Sequence, residues 1–286
     1  MRSCDQPRIL IARVLPSTYS RREIKTMKIC VVLSFVLTVL SQLGTAPVFA
    51  AQEGSTVQDS TDKAPKRDEF KHLVERLKSQ SSSDRREAAE QLADSADARA
   101  VEPLIAALKD ADSDLRASIA NALGQLGDKR AIAPLTKMLS DEVSFVRAAA
   151  ARVLGQLGDS GAVEALTVSL RDNNSTVRGA AAMGLGSLKD TRAVQALIAA
   201  IRDEAPDVRS AAATALGDLR DKRAVASLIQ ALKDEKMVKL AAAIALADIG
   251  DKSAVTALKE AIAGEKDEEM RDQMKEALQR LMAVPD

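Results

Sequence analysis

Apolar residues recur along this chain at helical spacing in short bursts, and the bursts themselves recur. Between Val146 and Leu157, the positions Val146, Ala150, Val153, Leu154 and Leu157 share one face of a helix. Gly158 is suited to the left-handed conformation that ends such a helix, and Asp159 is placed to cap the next one. Ala162, Val163, Leu166 and Leu170 then mark the buried face of a second helix. A hairpin this short cannot bury its own apolar face, so it requires neighbours of the same kind.

The chain supplies them. Basic residues near the start of the second helix of each hairpin fall at Arg85, Arg116, Arg147, Arg178, Arg209, Lys239 and Arg271, with successive gaps of 31, 31, 31, 31, 30 and 32. Seven residues after each stands a leucine: Leu92, Leu123, Leu154, Leu185, Leu216, Leu246 and Leu278. Twelve residues after the first six stands an aspartate: Asp97, Asp128, Asp159, Asp190, Asp221 and Asp251. The register predicts about seven hairpins, each with a first helix (A) and a second helix (B), stacked over residues 68–286 into an all-α, right-handed α-solenoid. Asp112 and Asn174 fall where caps of B are expected, and Pro206 fits the first turn of its helix. Gly124, Gly155, Gly186 and Gly217 recur in the last turn of B, where a missing side chain lets the neighbouring helix approach. The end hairpins carry charge where inner ones carry alanine, as in Asp84-Arg85-Arg86-Glu87 and Glu268 to Asp272, which suits capping units.

The pattern VRxxAAxALGxLGDxRAVxxLIxAL, clearest in Arg209–Leu232 (RSAAATALGDLRDKRAVASLIQAL), resembles the HEAT-like repeats of the phycobilisome lyase type. The resemblance covers residues 68–286 and implies the fold strongly. It implies function weakly, because such repeats serve bilin lyase subunits, deoxyhypusine hydroxylase and many scaffolds.

The N-terminus changes the picture of where the chain works. Ile29–Leu40 is an apolar and hydroxyl run behind Lys28, followed by Val48-Phe49-Ala50-Ala51. That is the pattern of a secretory signal peptide over residues 27–50, cleaved after Ala50. An uncleaved anchor is the alternative, but the run is shorter than the roughly 20 apolar residues a membrane span needs. Met27 looks like the natural start, making residues 1–26 an upstream extension. A twin-arginine signal at Arg21-Arg22 is the competing reading, poorly matched by the charged residues after it. Residues 51–67 have no apolar periodicity and read as a flexible linker. The expected location is therefore outside the cytoplasm, periplasmic or extracellular.

Composition then narrows the chemistry. Both cysteines, Cys4 and Cys30, lie in the leader, so the mature chain has no disulfide, thiol nucleophile or thiolate metal site. Without the leader, 34 basic residues face 39 acidic ones, a balance that disfavours nucleic acid and anionic membranes as partners. Aromatic residues make up 2% of the sequence, so Ala and Leu must build the core through many thin helix contacts. His72 is the only histidine. The di-iron site of deoxyhypusine hydroxylase needs several His-Glu pairs, so that activity does not carry over, and serine-type triads fail for the same reason. Asp110, Asp112 and Asp114 resemble the opening of a calcium loop, but Leu115 stands where that loop needs glycine, so capping of helix B is the better account. The aspartate column is expected to cap the next A helix and the basic column to reach acceptors in an adjacent turn. Stacking then aligns these groups into a polar ladder whose partly exposed pairs each contribute roughly 0–1 kcal/mol and set register more than stability.

What remains is recognition by surface. Five residues after the basic column stand Asn121, Arg152, Met183, Thr214 and Ile244; nine after it stand Gln125, Gln156, Ser187, Asp218 and Asp248. These rows vary between hairpins while the rest repeats, and they are the expected contact stripe for a protein partner, on the inner face formed by the B helices. The sequence thus points to a monomeric, exported scaffold or adaptor that binds a partner protein, with no cofactor, metal or catalytic residue of its own. The alternative is a lyase-like or chaperone-like accessory subunit acting on a partner's cofactor or modification. Pigment attachment by bilin lyases is a cytoplasmic task, which sets that branch against the export signal.

Overall fold

A computed structural model describes residues 66–285. The expected leader and cleavage site, and the expected linker up to residue 65, lie outside the described residues. The described chain is an all-α solenoid of fourteen helices in seven hairpins, with no strand among the described residues. Hairpin one pairs α1 (Arg67–Arg76) with α2 (Ser82–Asp94), and hairpin two pairs α3 (Val101–Ala107) with α4 (Ser113–Leu126). Hairpin three is α5 (Ile132–Met138) with α6 (Ser144–Leu157), and hairpin four is α7 (Val163–Ser169) with α8 (Ser175–Leu188). Hairpin five is α9 (Val194–Ala200) with α10 (Pro206–Leu219), and hairpin six is α11 (Val225–Ala231) with α12 (Lys236–Ile249). The last pairs α13 (Val255–Gly264) with α14 (Glu268–Met282). No helix among the described residues is long and apolar enough to cross a membrane.

The predicted punctuation is present. Each of Asp97, Asp128, Asp159, Asp190, Asp221 and Asp251 accepts the backbone N–H two residues on, at 2.8–3.0 Å, and so opens the short 3₁₀ turn that leads into the next A helix. Asp112 accepts from the N–H groups of Asp114 and Leu115, Asn174 from those of Thr176 and Val177, and Pro206 occupies the first turn of α10. Gly127, Gly158 and Gly250 end their B helices in the left-handed region, but α8 and α10 end on Lys189 and Arg220 with φ of 52° and 51°.

The core is one repeated layer. Leu92, Leu123, Leu154, Leu185, Leu216 and Leu246 are fully buried, as are Leu104, Leu135, Leu166, Leu197, Leu228 and Leu258 from the A helices. Small residues let the B helices touch. A Cβ placed on Gly155 would lie 2.5 Å from the Cα of Gly184, so α6 and α8 meet backbone to backbone. Adjacent B helices pack closely along their lengths, whereas adjacent A helices scarcely touch and leave open clefts, one of them lined by Leu139, Thr167 and Val168.

The polar ladder is present and more deeply set than expected. Arg116, Arg147, Arg178 and Arg209 each donate two bonds of 2.7–2.8 Å to the next hairpin's Asp141, Asp172, Asp203 and Asp234. Each also donates from Nη1 to the backbone carbonyl six residues earlier. Arg85–Asp110 and Lys239–Glu265 repeat the pairing at the ends. The four inner arginine side chains are only 8–14% exposed. The expectation of partly exposed pairs is therefore corrected: the A–B turn folds over the guanidinium and removes it from water, so deleting one partner strands a charge and costs more than at the surface.

Candidate partner-binding face

The structure places the whole predicted stripe on the B face and brings it together. In the row five after the basic column, Arg152 on α6 and Thr214 on α10 are exposed, with Met183 48% and Ile244 39% exposed on α8 and α12. Asn121 is half-buried because Arg152 reaches back from the next hairpin and donates to its Oδ1 at 2.8 Å. Thr214 donates its hydroxyl to the carbonyl of Ser210, one turn earlier, so it offers a partner a methyl group and an oxygen acceptor. A row that alternates apolar, amide and hydroxyl groups in this way can hold a peptide by packing and by scattered hydrogen bonds.

The row nine after the column is less free. Gln125, Gln156, Ser187 and Asp218 are exposed, and Asp248 is half-buried. Where a Cβ on Gly124 would stand, Oε1 of Gln156 lies 3.2 Å away, and Oδ2 of Asp218 lies 3.1 Å from the same point on Gly186. These side chains lean over the glycine column of the preceding helix. Asp248 accepts from Arg280, and Ser187 donates to the carbonyl of Met183.

Sequence reasoning missed part of the surface. Met237 (61% exposed) and Phe145 stand two residues before the basic column, and Leu240 stands one after Lys239. Met237, Leu240 and Ile244 fall at i, i+3 and i+7, so they form a single apolar line along α12. The signal was present: in that register most other hairpins carry Asp, Thr, Ala or Ser, and apolar residues outside the core periodicity mark exposed apolar surface.

The residues weighed for chemistry are accounted for structurally. His72 is exposed on α1. Asp110 pairs with Arg85, while Asp112 caps α4 and pairs with Arg86 at 2.8 Å, which also reaches Asp114 at 3.1 Å. The Arg86 guanidinium beside Asp112 holds its carboxyl below the usual range, as a helix-capping ion pair should. Among the described residues no group of three His, Cys, Asp or Glu side chains converges on a metal-sized site.

Comparison with known proteins agrees with the repeat register. Residues 70–154, 140–206 and 194–279 match the family described as HEAT repeats. Among solved structures, the complex of CpcE and CpcF of phycocyanin lyase from Nostoc sp. PCC7120 is similar to this chain. It is 26% identical over 85% of this chain and 95% of that one, with a TM-score of 0.50. Importin beta is 17% identical over 74% of this chain and 36% of its own, with a TM-score of 0.57, a likeness of fold alone. A search of curated proteins found no match.

Proposed function

The chain belongs to the HEAT-repeat family, in its phycobilisome-lyase-like form, and from that premise we propose that it is an exported, non-enzymatic adaptor that binds a partner protein along its B-helix face. The observation that carries this reading is the division of the B helices into two kinds of position. The Leu, Ala and Gly columns are spent on packing, and the Arg column on the ladder. The row containing Arg152, Met183, Thr214 and Ile244 is exposed at those four positions, contiguous, and different in each of hairpins two to six. Rigid stacking holds that row in one geometry, so a partner meets a surface already ordered, and binding costs little conformational entropy on this side. The mechanism is presentation of a surface.

A photocrosslinking residue placed at Thr214, compared with one at Gln195 on the opposite side, tests the reading inside the exporting cell. A specific protein adduct from Thr214 and none from Gln195 is expected; adducts only from Gln195 would sink it. The same material tests export. The sole tyrosine is Tyr19 and there is no tryptophan, so a chain beginning at Ala51 has almost no absorbance at 280 nm.

One observation favours a second reading, an accessory subunit acting on a partner's cofactor or modification: the 26% identity to a phycocyanin lyase complex. Loss of a covalent modification on the crosslinked partner, in cells lacking this chain, would move the assignment there.

A further inference from the structure

Charge is distributed very unevenly over the solenoid. Five rows of the B helices face outward: the positions two before the basic column, and one, two, five and nine after it. Over all seven hairpins these rows carry ten carboxylates and three guanidinium groups. Residues 66–285 as a whole carry 33 basic and 35 acidic residues, so the acidity belongs to this face and the excess cations lie elsewhere. Two of the three guanidinium groups are neutralised locally, Arg86 by Asp112 and Asp114, and Arg280 by Asp248. Six carboxylates on the face, Glu90, Asp94, Asp207, Asp218, Glu269 and Glu276, have no ion-pair partner among the described residues.

Six of the ten carboxylates lie on the two end hairpins; hairpins four to six carry Asp207, Asp218 and the Arg280-paired Asp248 beside an apolar patch. Met237 and Ile244 are exposed on α12 with Leu240 half-buried between them, and Met183 faces them from α8, across α10. Between them α10 offers only Ser210, Ala211 and Thr214, so the ground between the apolar lines is low. Asp207 and Asp218 stand at the two ends of the same helix, about 16 Å apart at 1.5 Å per residue. Two adjacent helix spacings, roughly 16–20 Å, separate the Met183 line from the Ile244 line.

We propose that the B face of hairpins four to six docks a cationic amphipathic segment of a partner protein. Its apolar side chains would rest on Met183, Leu240 and Ile244, and its lysine or arginine groups would reach Asp207 and Asp218. The proposal rests on the B face being the binding face and adds the chemistry of the occupant. Both features are required. Asp207 and Asp218, unpaired on one face of α10, select for cations between them and repel nucleic acid. Exposed methionine and isoleucine give the contact its burial, with methionine adapting to the shape it meets. A purely basic segment would leave the apolar line wet, and a purely apolar one would bury the flanking carboxylates unpaired.

The test uses the intact protein and three fluorescent synthetic peptides of about 14 residues, long enough as helices, at ~1.5 Å per residue, to cross three B helices. One is an amphipathic Leu/Lys helix, one its Leu/Glu counterpart, and one a Ser/Lys peptide without apolar residues. Anisotropy titrations should show the Leu/Lys peptide binding at least about tenfold more tightly than either control, with affinity falling as salt rises. The paired substitution Asp207→Lys with Asp218→Lys should cost at least about tenfold. Met183→Ser with Ile244→Ser should cost several-fold and leave the salt dependence in place. Glu164→Lys with Glu260→Lys, on exposed A-helix positions, should change nothing. Binding of the Leu/Glu peptide as tightly as Leu/Lys, no Leu/Lys binding, or equal losses from B-face and A-helix substitutions would each overturn the proposal. Circular dichroism checks that each variant is folded. The two readings fail separately. A partner crosslinked at Thr214 through an acidic segment would end this inference and leave the adaptor standing, whereas a silent Thr214 beside a reactive Gln195 would end both.

Discussion

Removing one rung of the polar ladder should cost far more than a surface ion pair. Arg147 donates to Asp172 at 2.7 and 2.8 Å, and to the carbonyls of Asp141 and Glu142 at 2.8 and 3.2 Å. Its side chain is 12% exposed and that of Asp172 is 13% exposed. Arg147→Ala therefore strands a carboxylate whose remaining protein partner is the N–H of Asn174, and it leaves two carbonyls of the A–B turn without their donor. Breaking a fully buried pair costs about 3–5 kcal/mol; water can reach this one from one side, so about 2–4 kcal/mol is expected. Arg147→Lys should recover part of this, because Lys239 already fills the equivalent place in hairpin six with a single 2.7 Å bond to Glu265. Urea unfolding followed by circular dichroism reads the loss, and a double-mutant cycle with Asp172→Ala isolates the coupling. The rung also joins hairpins three and four, so the variant should unfold less cooperatively, with a smaller denaturant slope. A loss under about 0.5 kcal/mol with an unchanged slope would mean the ladder is ornament on a stack held by leucines, and the argument from burial would be refuted.

Acid should weaken the fold. Beside Arg147 and Arg209, the carboxyls of Asp172 and Asp234 are held below the usual range, and hydrogen bonds from Arg192 bring Asp190 to about 2. Each depressed group contributes stability that is complete above the unfolded carboxylate range and lost as pH falls toward the native value. The urea midpoint should therefore hold at neutral pH and decline between about pH 4 and 2; a flat profile there contradicts the assignment. Two glycine substitutions should have opposite signs. Gly155→Ala forces a Cβ against the Gly184 backbone, costing at least about 1–3 kcal/mol, whereas Gly179→Ala meets nothing within 4 Å and should gain about 0.5–1 kcal/mol in midpoint measurements. Lys189→Gly and Arg220→Gly should each stabilise by about 0.5–1 kcal/mol, since relief of a left-handed residue outweighs the lost cation at the helix end. Destabilisation by either would show that the cation has a stronger local role.

The fold was legible because every hairpin repeats the same physical solution. The spacing of the basic column, Leu154 with Leu166, and the Asp159 cap each recur at one period, so the seven hairpins and their polarity could be read without coordinates. The depth of the ladder was not legible. Whether Arg147 is exposed depends on how the turn carrying Asp141 and Glu142 folds over it, and a count of positions has no term for that. The partner of each arginine was likewise hidden. The aspartate column read from the sequence, Asp97 to Asp251, caps the A helices, while the rungs are formed by a different column, Asp110 to Asp234 with Glu265. Residues 1–65 carry the export reading, which rests on sequence pattern alone.

The two rows of the predicted stripe looked equivalent in sequence and are not equivalent in space. A side chain nine residues after the basic column leans over the neighbouring glycine, as Asp218 does over Gly186, so its identity answers partly to the packing beneath it. A side chain five residues after the column leans over no glycine of the neighbouring helix, and among the described residues the one side-chain hydrogen bond within the row is that of Arg152 with Asn121. Variation in the first row can therefore be compensation between neighbours, but variation in the second cannot be explained that way. Met183 and Ile244 sharpen the point. Each leaves a large part of its apolar side chain in water, which gives the isolated solenoid no packing in return, and removal to serine should cost about 1–2 kcal/mol, less than the roughly 2–5 kcal/mol of a fully buried leucine or isoleucine. Residues that keep so much apolar surface in water beside the carboxylates of α10 locate the selective demand outside the fold, in whatever the B face holds.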